Sequence, residues 1–340
     1  MQHIKPRYMI LYMTKRCNMR CPHCIFRLYN KDCFSDEDLD VSFGKQIISY
    51  YKHYGIKELY LTAEGEPLLY EHLPEILSFS KNKNFERIHL NTNGRLLQKY
   101  INSILEYVDS IYISVDGYNR ETYKNHRESD AFARVIKNIN KLVKARKKHK
   151  NQLFISIACV IHQQNLNYIE KMIQLANNLN VNRIEFYNFH PIQTSLPIPT
   201  CTPVYQSIET TQYFETIKSK QYQMEIVLPA PVSDKKHFYC ENLFNWIVIG
   251  AGGNYSPCCQ IPPHKKFGNF HDDPEYFFKG EIGHFKTKFT RAESTSDLHG
   301  SCKDCNGLSP ENDIFFPDMR IWTKRYPVSN YCYSFTPSIT

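Results

Sequence analysis

The sequence predicts an α/β fold built on a parallel β-sheet over its first 190 residues. Apolar runs typical of buried strands alternate there with stretches of helical spacing. Short polar motifs follow the ends of several of these runs. Near residue 190 the alternation stops, and glycines, short strand signals and clustered cysteines appear further on. Because parallel strands need right-handed crossovers, we expect functional residues to gather at the carboxyl ends of the strands.

Six strands are predicted, and each is a short run rich in apolar and β-branched or aromatic residues. In chain order they are Tyr8–Met13, Glu58–Thr62, Arg87–Asn91, Ser110–Ser114, Leu153–Ala158 and Arg183–Tyr187. Helical sequence is expected around 41–53. Clear helical periodicity of apolar residues extends over 132–143 and again over 169–179.

Four regions are expected along the chain. Residues 1–190 form the core domain, and 191–235 form a bridging segment with one helix near 208–219. Residues 236–310 form a small cysteine-bearing domain, and 311–340 form an aromatic C-terminal tail. We expect substrate specificity to arise from the bridge at 191–235, the loop after Cys259 and the C-terminal residues 306–340.

Composition narrows the class of protein. Hydrophobic residues make up 42% of the 340 residues and charged residues 22%, which is ordinary for a globular protein. No apolar run approaches the ~20 residues of a membrane span. The first residues lack a secretory signal, so we expect a cytoplasmic protein without a membrane partner. The formal net charge of +8 lies largely on helix faces such as 144–150, without a nucleic-acid motif, so no nucleic-acid partner is expected.

Cysteine usage indicates metal binding. The chain has 12 cysteines, a high count for a cytoplasmic protein, where structural disulfides are rare. Cys17, Cys21 and Cys24 form a C-x3-C-x2-C triplet after the first strand. Three thiolates can hold one 4Fe–4S cube and leave one iron open for a ligand. Zinc is the alternative, although it normally recruits a fourth Cys or His.

The triplet Cys17-Asn-Met-Arg-Cys21-Pro-His-Cys24 resembles the signature of radical S-adenosylmethionine (SAM) enzymes. In that family the open iron chelates SAM, and one electron cleaves it to methionine and a 5′-deoxyadenosyl radical that abstracts a substrate hydrogen atom. The resemblance implies a flavodoxin- or ferredoxin-type electron donor. It also implies a partial (β/α)6 TIM-like barrel as the core fold.

The resemblance continues at the ends of later strands. The run Thr62-Ala-Glu-Gly-Glu-Pro67 is similar to the family's glycine–glutamate motif, with Ala63 where glycine is common. The runs 91–94 and 114–117 also resemble family motifs, and an arginine follows the second of them. The residues that the resemblance assigns to SAM binding are Gly65, Glu66, Asn93, Ser114, Asp116 and Arg127.

A second set of cysteines lies in the C-terminal part: Cys240, Cys258, Cys302 and Cys305. Between the first two, residues 245–257 are typical of a hairpin with a glycine-rich turn. Zinc is again an alternative on spacing alone. The arrangement resembles the twitch domain, a shortened SPASM domain, which implies a small C-terminal α+β domain holding one auxiliary 4Fe–4S cluster. Cys259 is an alternative ligand.

The layout resembles that of twitch-bearing cyclitol dehydrogenases, which implies two-electron oxidation of a sugar or aminocyclitol alcohol by a radical SAM oxidoreductase. Such a reaction needs a general base, and His162, His190 and Glu185 lie at or near strand ends. Maturation of a ribosomally made peptide, by epimerisation or crosslinking, is the alternative. The expected absence of an N-terminal peptide-recognition domain weighs modestly against it. A non-enzymatic redox or zinc-binding protein is the third interpretation.

Overall fold

The computed structural model describes residues 6–30, 33–149, 151–190, 201–229, 231–232 and 240–292, together with 294, 297, 298, 302 and 305. The predicted tail 311–340 and the start of the bridge, 191–200, lie outside the described residues. None of the helices in the described part of the chain is long and apolar enough to cross a membrane.

The described strands form one sheet in the order β7-β6-β5-β4-β3-β2-β1-β8-β9. Every pair is parallel except β8–β9. The strands are β1 Tyr8–Tyr12, β2 Glu58–Thr62, β3 Arg87–Thr92, β4 Ser110–Ser114, β5 Phe154–Ile161, β6 Arg183–Asn188, β7 Glu225–Val227, β8 Trp246–Ile249 and β9 Tyr255–Ser256. The six predicted strands are β1–β6 in sequence order. The predicted α/β class, with an open partial barrel, is confirmed.

Helices follow most of the strands and cover the sheet. They are α1 Ile25–Tyr29, α2 Val41–Tyr54, α3 Leu73–Asn82, α4 Leu97–Tyr107, α5 Arg120–Arg127, α6 Phe132–Lys148, α7 Ile169–Leu179, α8 Ile208–Lys218, α9 Glu241–Asn245 and α10 Gly280–Arg291. Short 3-10 turns occupy Pro67–Leu69, Gln163–Tyr168, Lys265–Phe267 and Tyr276–Phe278. The helices predicted around 41–53, 132–143, 169–179 and 208–219 are all present.

Strand β2 lies between β3 and β1 in the sheet, and all five of its residues are buried. Its alternate residues Glu58 and Tyr60 meet His89 of β3: Glu58 Oε2 lies 2.9 Å from His89 Nε2, and Tyr60 stacks on the His89 ring at 4.0 Å. Because strand side chains alternate between the two faces, the opposite face of β2 carries Leu59 and Leu61 into the main apolar core.

The hairpin predicted for residues 245–257 is the β8–β9 pair. Its first strand continues the barrel sheet, because Tyr8 of β1 is in register with Trp246 and the two rings stack 4.7 Å apart. The turn between the strands contains Gly253 at φ +82°, a conformation that favours glycine. The cysteine-bearing segment after β9 is therefore attached to the barrel at β1, the strand that precedes the cysteine triplet.

Candidate active site

A cavity of about 340 Å³ lies at the carboxyl ends of the barrel strands. Each of β1–β6 contributes a strand end or the loop that follows it. The polar residues and cysteines that line the cavity are Cys17, Cys21, His23, Cys24, Thr62, Glu64, Glu66, Asn91, Thr92, Asn93, Ser114, Asp116, Arg127, Tyr187, Asn188, His190 and Gln260. Gln260 reaches the cavity from the segment after β9. The structure thus brings all three cysteines of the triplet to one cavity with the strand-end motifs.

The three thiols are shielded from water. Cys21 is buried, and Cys17 and Cys24 are half-buried. Burial raises the pKa of Cys17 to about 12 and raises the pKa values of Cys21 and Cys24 as well. Such thiols become thiolates when a bound metal supplies positive charge. Three soft sulfur donors around one cavity fit an iron–sulfur cluster.

Arginine side chains hold the loop that carries the cysteines. Arg20 Nη1 donates to the Cys17 carbonyl at 2.8 Å, and Arg95 Nη1 donates to the Asn18 carbonyl at 2.9 Å. The Asn93 side chain donates to Asn18 Oδ1 at 2.8 Å. The loop after β3 therefore fixes the position of the cysteine loop after β1.

The turn after β2 packs directly on the backbone after β1. The Gly65 amide donates to the Thr14 carbonyl at 3.2 Å, and the Glu66 amide donates to the Arg16 carbonyl at 2.7 Å. A Cβ on Gly65 would stand 1.9 Å from the Arg16 carbonyl oxygen. This close approach explains why glycine occupies the position.

The Glu66 carboxylate joins two strand ends. It accepts hydrogen bonds from Thr92 Oγ1 at 2.5 Å, from the Asn93 amide at 2.8 Å and from the Leu68 amide at 3.1 Å. Only 2% of the residue is exposed. Burial raises its pKa to about 6, against the lowering effect of these bonds. The carboxylate therefore braces the loops after β2 and β3 at the cavity wall.

Asp116 and Arg127 form a buried ion pair beside the triplet. Arg127 Nε lies 2.5 Å from Asp116 Oδ2, and the Asp116 and Arg127 side chains are 1% and 11% exposed. His23 Nε2 lies 3.1 Å from the same oxygen. The Asp116 carboxylate therefore contacts one side chain from the cysteine loop and one from α5.

The three candidate bases are placed differently. His190 lines the cavity. His162 is not among the described residues that line the cavity, and its Nε2 lies 3.4 Å from His126 Nδ1. Glu185 lies deeper in the barrel, where it accepts from Arg183 at 2.8 Å and from the Tyr187 hydroxyl at 2.5 Å. The structure therefore brings only His190 of these three to the cavity, and Glu185 serves a buried ion pair.

Glu64 lines the cavity and was not among the predicted site residues. It is 8% exposed, and its Oε1 has no hydrogen-bond partner among the described residues. Burial raises its pKa to about 7, offset in part by Lys15 and reinforced by Glu37. Glu58, Tyr60 and Thr62 precede it at alternate positions on the same strand face. Extending this two-residue spacing by one step beyond the end of β2 could have identified Glu64 from the sequence.

Glu64→Gln is expected to stabilise the protein in a pH-dependent way. The pKa of Glu64 is about 7 in the folded chain against an ordinary value of 4.5, so folding opposes its ionisation as pH rises between these values. Glutamine removes this cost, which corresponds to roughly 3 kcal/mol of unfolding free energy at pH 8 and vanishes below about pH 4.5. Thermal or urea unfolding at pH 5 and pH 8 measures the gain. The exposed Glu71→Gln variant should show none, and an equal gain at both pH values would contradict this account.

The second cysteine set is brought together in part. Cys240, Cys302 and Cys305 pack around the small apolar cluster of Leu243, Phe289 and Leu298. The Cys305 amide donates to the Cys302 carbonyl at 3.1 Å. Cys258 packs against the main core, and the alternative ligand Cys259 packs near Trp246. Within the described ranges, no three Cys, His, Asp or Glu side chains converge tightly enough to hold a single metal ion.

Comparisons with known proteins agree with this arrangement. Residues 11–176 match the profile of the radical SAM superfamily. A probable GTP 3′,8-cyclase from Saccharolobus islandicus is 27% identical over 225 residues, covering 64% of this chain and 70% of that protein. Streptococcus suis SuiB bound to its precursor peptide SuiA is a structural neighbour with a TM-score of 0.66 and 14% identity, covering 89% of this chain and 71% of SuiB.

A second solved neighbour is BtrN in complex with AdoMet and 2-DOIA, at a TM-score of 0.51 and 14% identity, covering 91% of this chain and 96% of BtrN. At these identities the structural likeness shows the fold alone. The sequence match runs from the end of β1 through β5 to most of α7, and it includes the cysteine triplet and the strand-end motifs. Residues 11–176, which carry the cysteine triplet and the strand-end motifs, therefore match the radical SAM superfamily.

Proposed function

We propose that Cys17, Cys21 and Cys24 hold a 4Fe–4S cluster with SAM on its open iron, and that the enzyme dehydrogenates a polar alcohol such as a sugar or an aminocyclitol. When bound and reduced, the cluster supplies the electron that cleaves SAM to methionine and a 5′-deoxyadenosyl radical, which takes a hydrogen atom from the substrate. The observation that carries the proposal is that the three thiols face the same cavity as the ends of β2, β3 and β4.

The chain's own residues then have distinct tasks. Gly65 allows the loops after β1 and β2 to pack closely. Glu66 stabilises the side of the cavity on which SAM is proposed to lie, and Asn93 and Ser114 line the same cavity. The reductant is proposed to be a flavodoxin- or ferredoxin-type protein. The loops after β5 and β6 and Gln260 close the remaining sides of the cavity.

Dehydrogenation is favoured by the polar groups that face the cavity. Asn91 Oδ1 and Glu64 Oε1 are buried acceptors without a partner among the described residues, which suits a substrate bearing several hydroxyl or amino groups. A carbon radical beside a hydroxyl becomes a ketone when it loses one proton and one electron. Among the residues that line the cavity, Glu64 and His190 are our candidates for accepting that proton. The second cysteine set is proposed to hold the cluster that accepts the electron.

Two other substrates have specific support. Peptide maturation is supported by the likeness to SuiB, which was solved with its precursor peptide. Cyclisation of a nucleotide is supported by the 27% identity to a probable GTP 3′,8-cyclase. Genes beside this one separate these candidates cheaply: sugar or aminocyclitol genes favour dehydrogenation, and a short precursor-peptide gene favours maturation.

The direct experiment uses carbon-deuterated streptamine, an aminocyclitol, with GTP as the competing probe. The reduced protein is incubated with SAM and either compound under anaerobic conditions, and the masses of the products are determined by mass spectrometry. The proposal expects deuterium in 5′-deoxyadenosine and a streptamine product that has lost two hydrogens. Turnover of GTP with streptamine left intact would contradict dehydrogenation.

The auxiliary site gives a separate prediction. The double variant Cys302→Ala/Cys305→Ala should lower the iron content from about eight to about four per chain, because one of two cubes is lost. Cleavage of SAM by dithionite-reduced protein should persist, since the triplet is untouched. The matched control is Cys201→Ala, a half-buried cysteine outside both sets, which should retain about eight irons. Unchanged iron in the double variant would rule out this auxiliary site.

A further inference from the structure

The Arg127 side chain lies between a carboxylate and a cysteine of the triplet. It is the last residue of α5, and its side chain is 11% exposed. On one edge Nε lies 2.5 Å from Asp116 Oδ2. On the other edge Nη1 donates to Cys21 Sγ at 3.6 Å. The planar guanidinium therefore contacts an acid and a sulfur at the same time.

Asp116 is fixed from the opposite side. Its Oδ1 accepts the Val160 amide at 2.8 Å, and His23 Nε2 stands 3.1 Å from Oδ2. Burial favours the neutral acid, but Arg127, His23 and the Val160 amide together hold the pKa of Asp116 well below its ordinary value. The carboxylate is therefore ionised and rigid. It orients the guanidinium toward Cys21 and balances its charge.

Charge next to a cluster sulfur changes the energy of adding an electron. Hydrogen bonds to the sulfurs, net charge and solvent exposure set the potentials of iron–sulfur clusters. A positive charge close to Cys21 favours the reduced cluster, and a negative charge opposes it. Both groups are buried, so solvent screens them little.

We propose that Arg127 and Asp116 form a buried charge pair that sets the reduction potential of the cluster at Cys17, Cys21 and Cys24, with Arg127 donating to the Cys21 sulfur. This inference rests on the proposed cluster. The inference assigns Arg127 a role that is separate from the SAM contact implied by the resemblance to radical SAM enzymes. Arg127 and Asp116 are positioning residues in this scheme, since they act through Cys21.

The pair predicts potential shifts of opposite sign. Arg127→Gln removes the positive charge and leaves Asp116, so the ratio of reduced to oxidised cluster at a fixed applied potential should fall about tenfold, or about 59 mV for a one-electron couple. Asp116→Asn leaves the positive charge uncompensated, and the ratio should rise. Arg127→Lys keeps the charge and should shift less than Arg127→Gln.

The measurement is an EPR-monitored redox titration of the full chain without SAM, so that no SAM contact contributes. The triplet cluster is identified as the signal that is absent from Cys17→Ala, and iron and sulfide are counted for every variant. The matched control is Arg120→Gln on the same helix. Arg120 also pairs with an aspartate, Asp130, at 2.5 Å, but on the surface and away from the cavity, so its loss should leave the potential unchanged.

Unshifted potentials in Arg127→Gln and Asp116→Asn, or shifts of the same sign, would overturn the charge pair. If Arg127→Gln fails to retain iron, Arg127→Lys and Asp116→Asn still decide by the order of their potentials. The proposed function fails separately: a wild-type chain with no Cys17-dependent cluster refutes both claims, whereas an intact cluster with unmoved potentials refutes only the charge pair.

Discussion

Alanine in place of Cys17, Cys21 or Cys24 is expected to abolish 5′-deoxyadenosine formation and to remove about four irons per chain. Each thiol faces the cavity, and a cube held by only two cysteines loses both its fixed position and its single open iron. Anaerobic iron and sulfide counting, together with chromatography of the SAM products, measures both effects. Thermal unfolding of each variant checks that the barrel has folded.

Cys33→Ala is the matched control for the triplet. Cys33 is half-buried, and burial raises the pKa of its thiol. Cys24 lies close enough to raise the pKa of Cys33 further. A three-cysteine cluster leaves Cys33 unused, so this variant should keep its iron and cleave SAM. Metal loss in Cys33→Ala as well as in the triplet variants would instead indicate a four-ligand site of the zinc type.

The second large effect is expected from Gly65→Ala. The added Cβ would meet the Arg16 carbonyl oxygen at 1.9 Å and the Lys15 carbonyl oxygen at 2.9 Å, and both belong to backbone that cannot rotate away. The loops after β1 and β2 must then separate, which we expect to cost about 1–3 kcal/mol of unfolding free energy or more. SAM cleavage should be lost, because the separated loops carry the cysteine triplet and Glu66.

Gly283→Ala provides the comparison for this glycine. Gly283 lies within α10, and the nearest heavy atom to its added Cβ is a carbonyl oxygen at an ordinary 3.6 Å. Alanine there should be neutral or stabilising by about 0.5–1 kcal/mol, as in other helix interiors. Thermal unfolding and 5′-deoxyadenosine assays on both variants test the contrast. Equal behaviour of the two would refute the close packing of the loops after β1 and β2.

The barrel strands could be predicted well because each is a buried run in which local pattern and burial agree. The predicted β2 has the observed bounds, Glu58–Thr62. Strand β5 extends three residues beyond the predicted Ala158, to Ile161, because β6 continues to pair with it as far as Ile161↔Asn188. Asn188 lies nearly 30 residues further along the chain, so the local sequence around Ile161 does not indicate this pairing.

The site was harder to predict because side-chain partners are set by the closed fold. Glu185 was predicted as a site residue because it lies near a strand end, as the other site residues do. In the structure it forms an ion pair with Arg183, on the same face of the strand, in the barrel interior. Glu64 sits in a turn whose neighbours suggested only a glycine motif. The placement of His23 on Asp116 joins loops that are 93 residues apart. Spacing identifies the cysteine triplet, but only the folded sheet shows which polar groups face it.

The central claim is that the triplet forms a SAM-cleaving cluster. It is tested most directly by reconstituting the chain anaerobically and adding SAM and dithionite without substrate. We expect about eight irons per chain, with 5′-deoxyadenosine and methionine formed in equal amounts and both absent from Cys17→Ala. Zinc in place of iron, or SAM recovered intact from an iron-loaded and reduced protein, would contradict the claim.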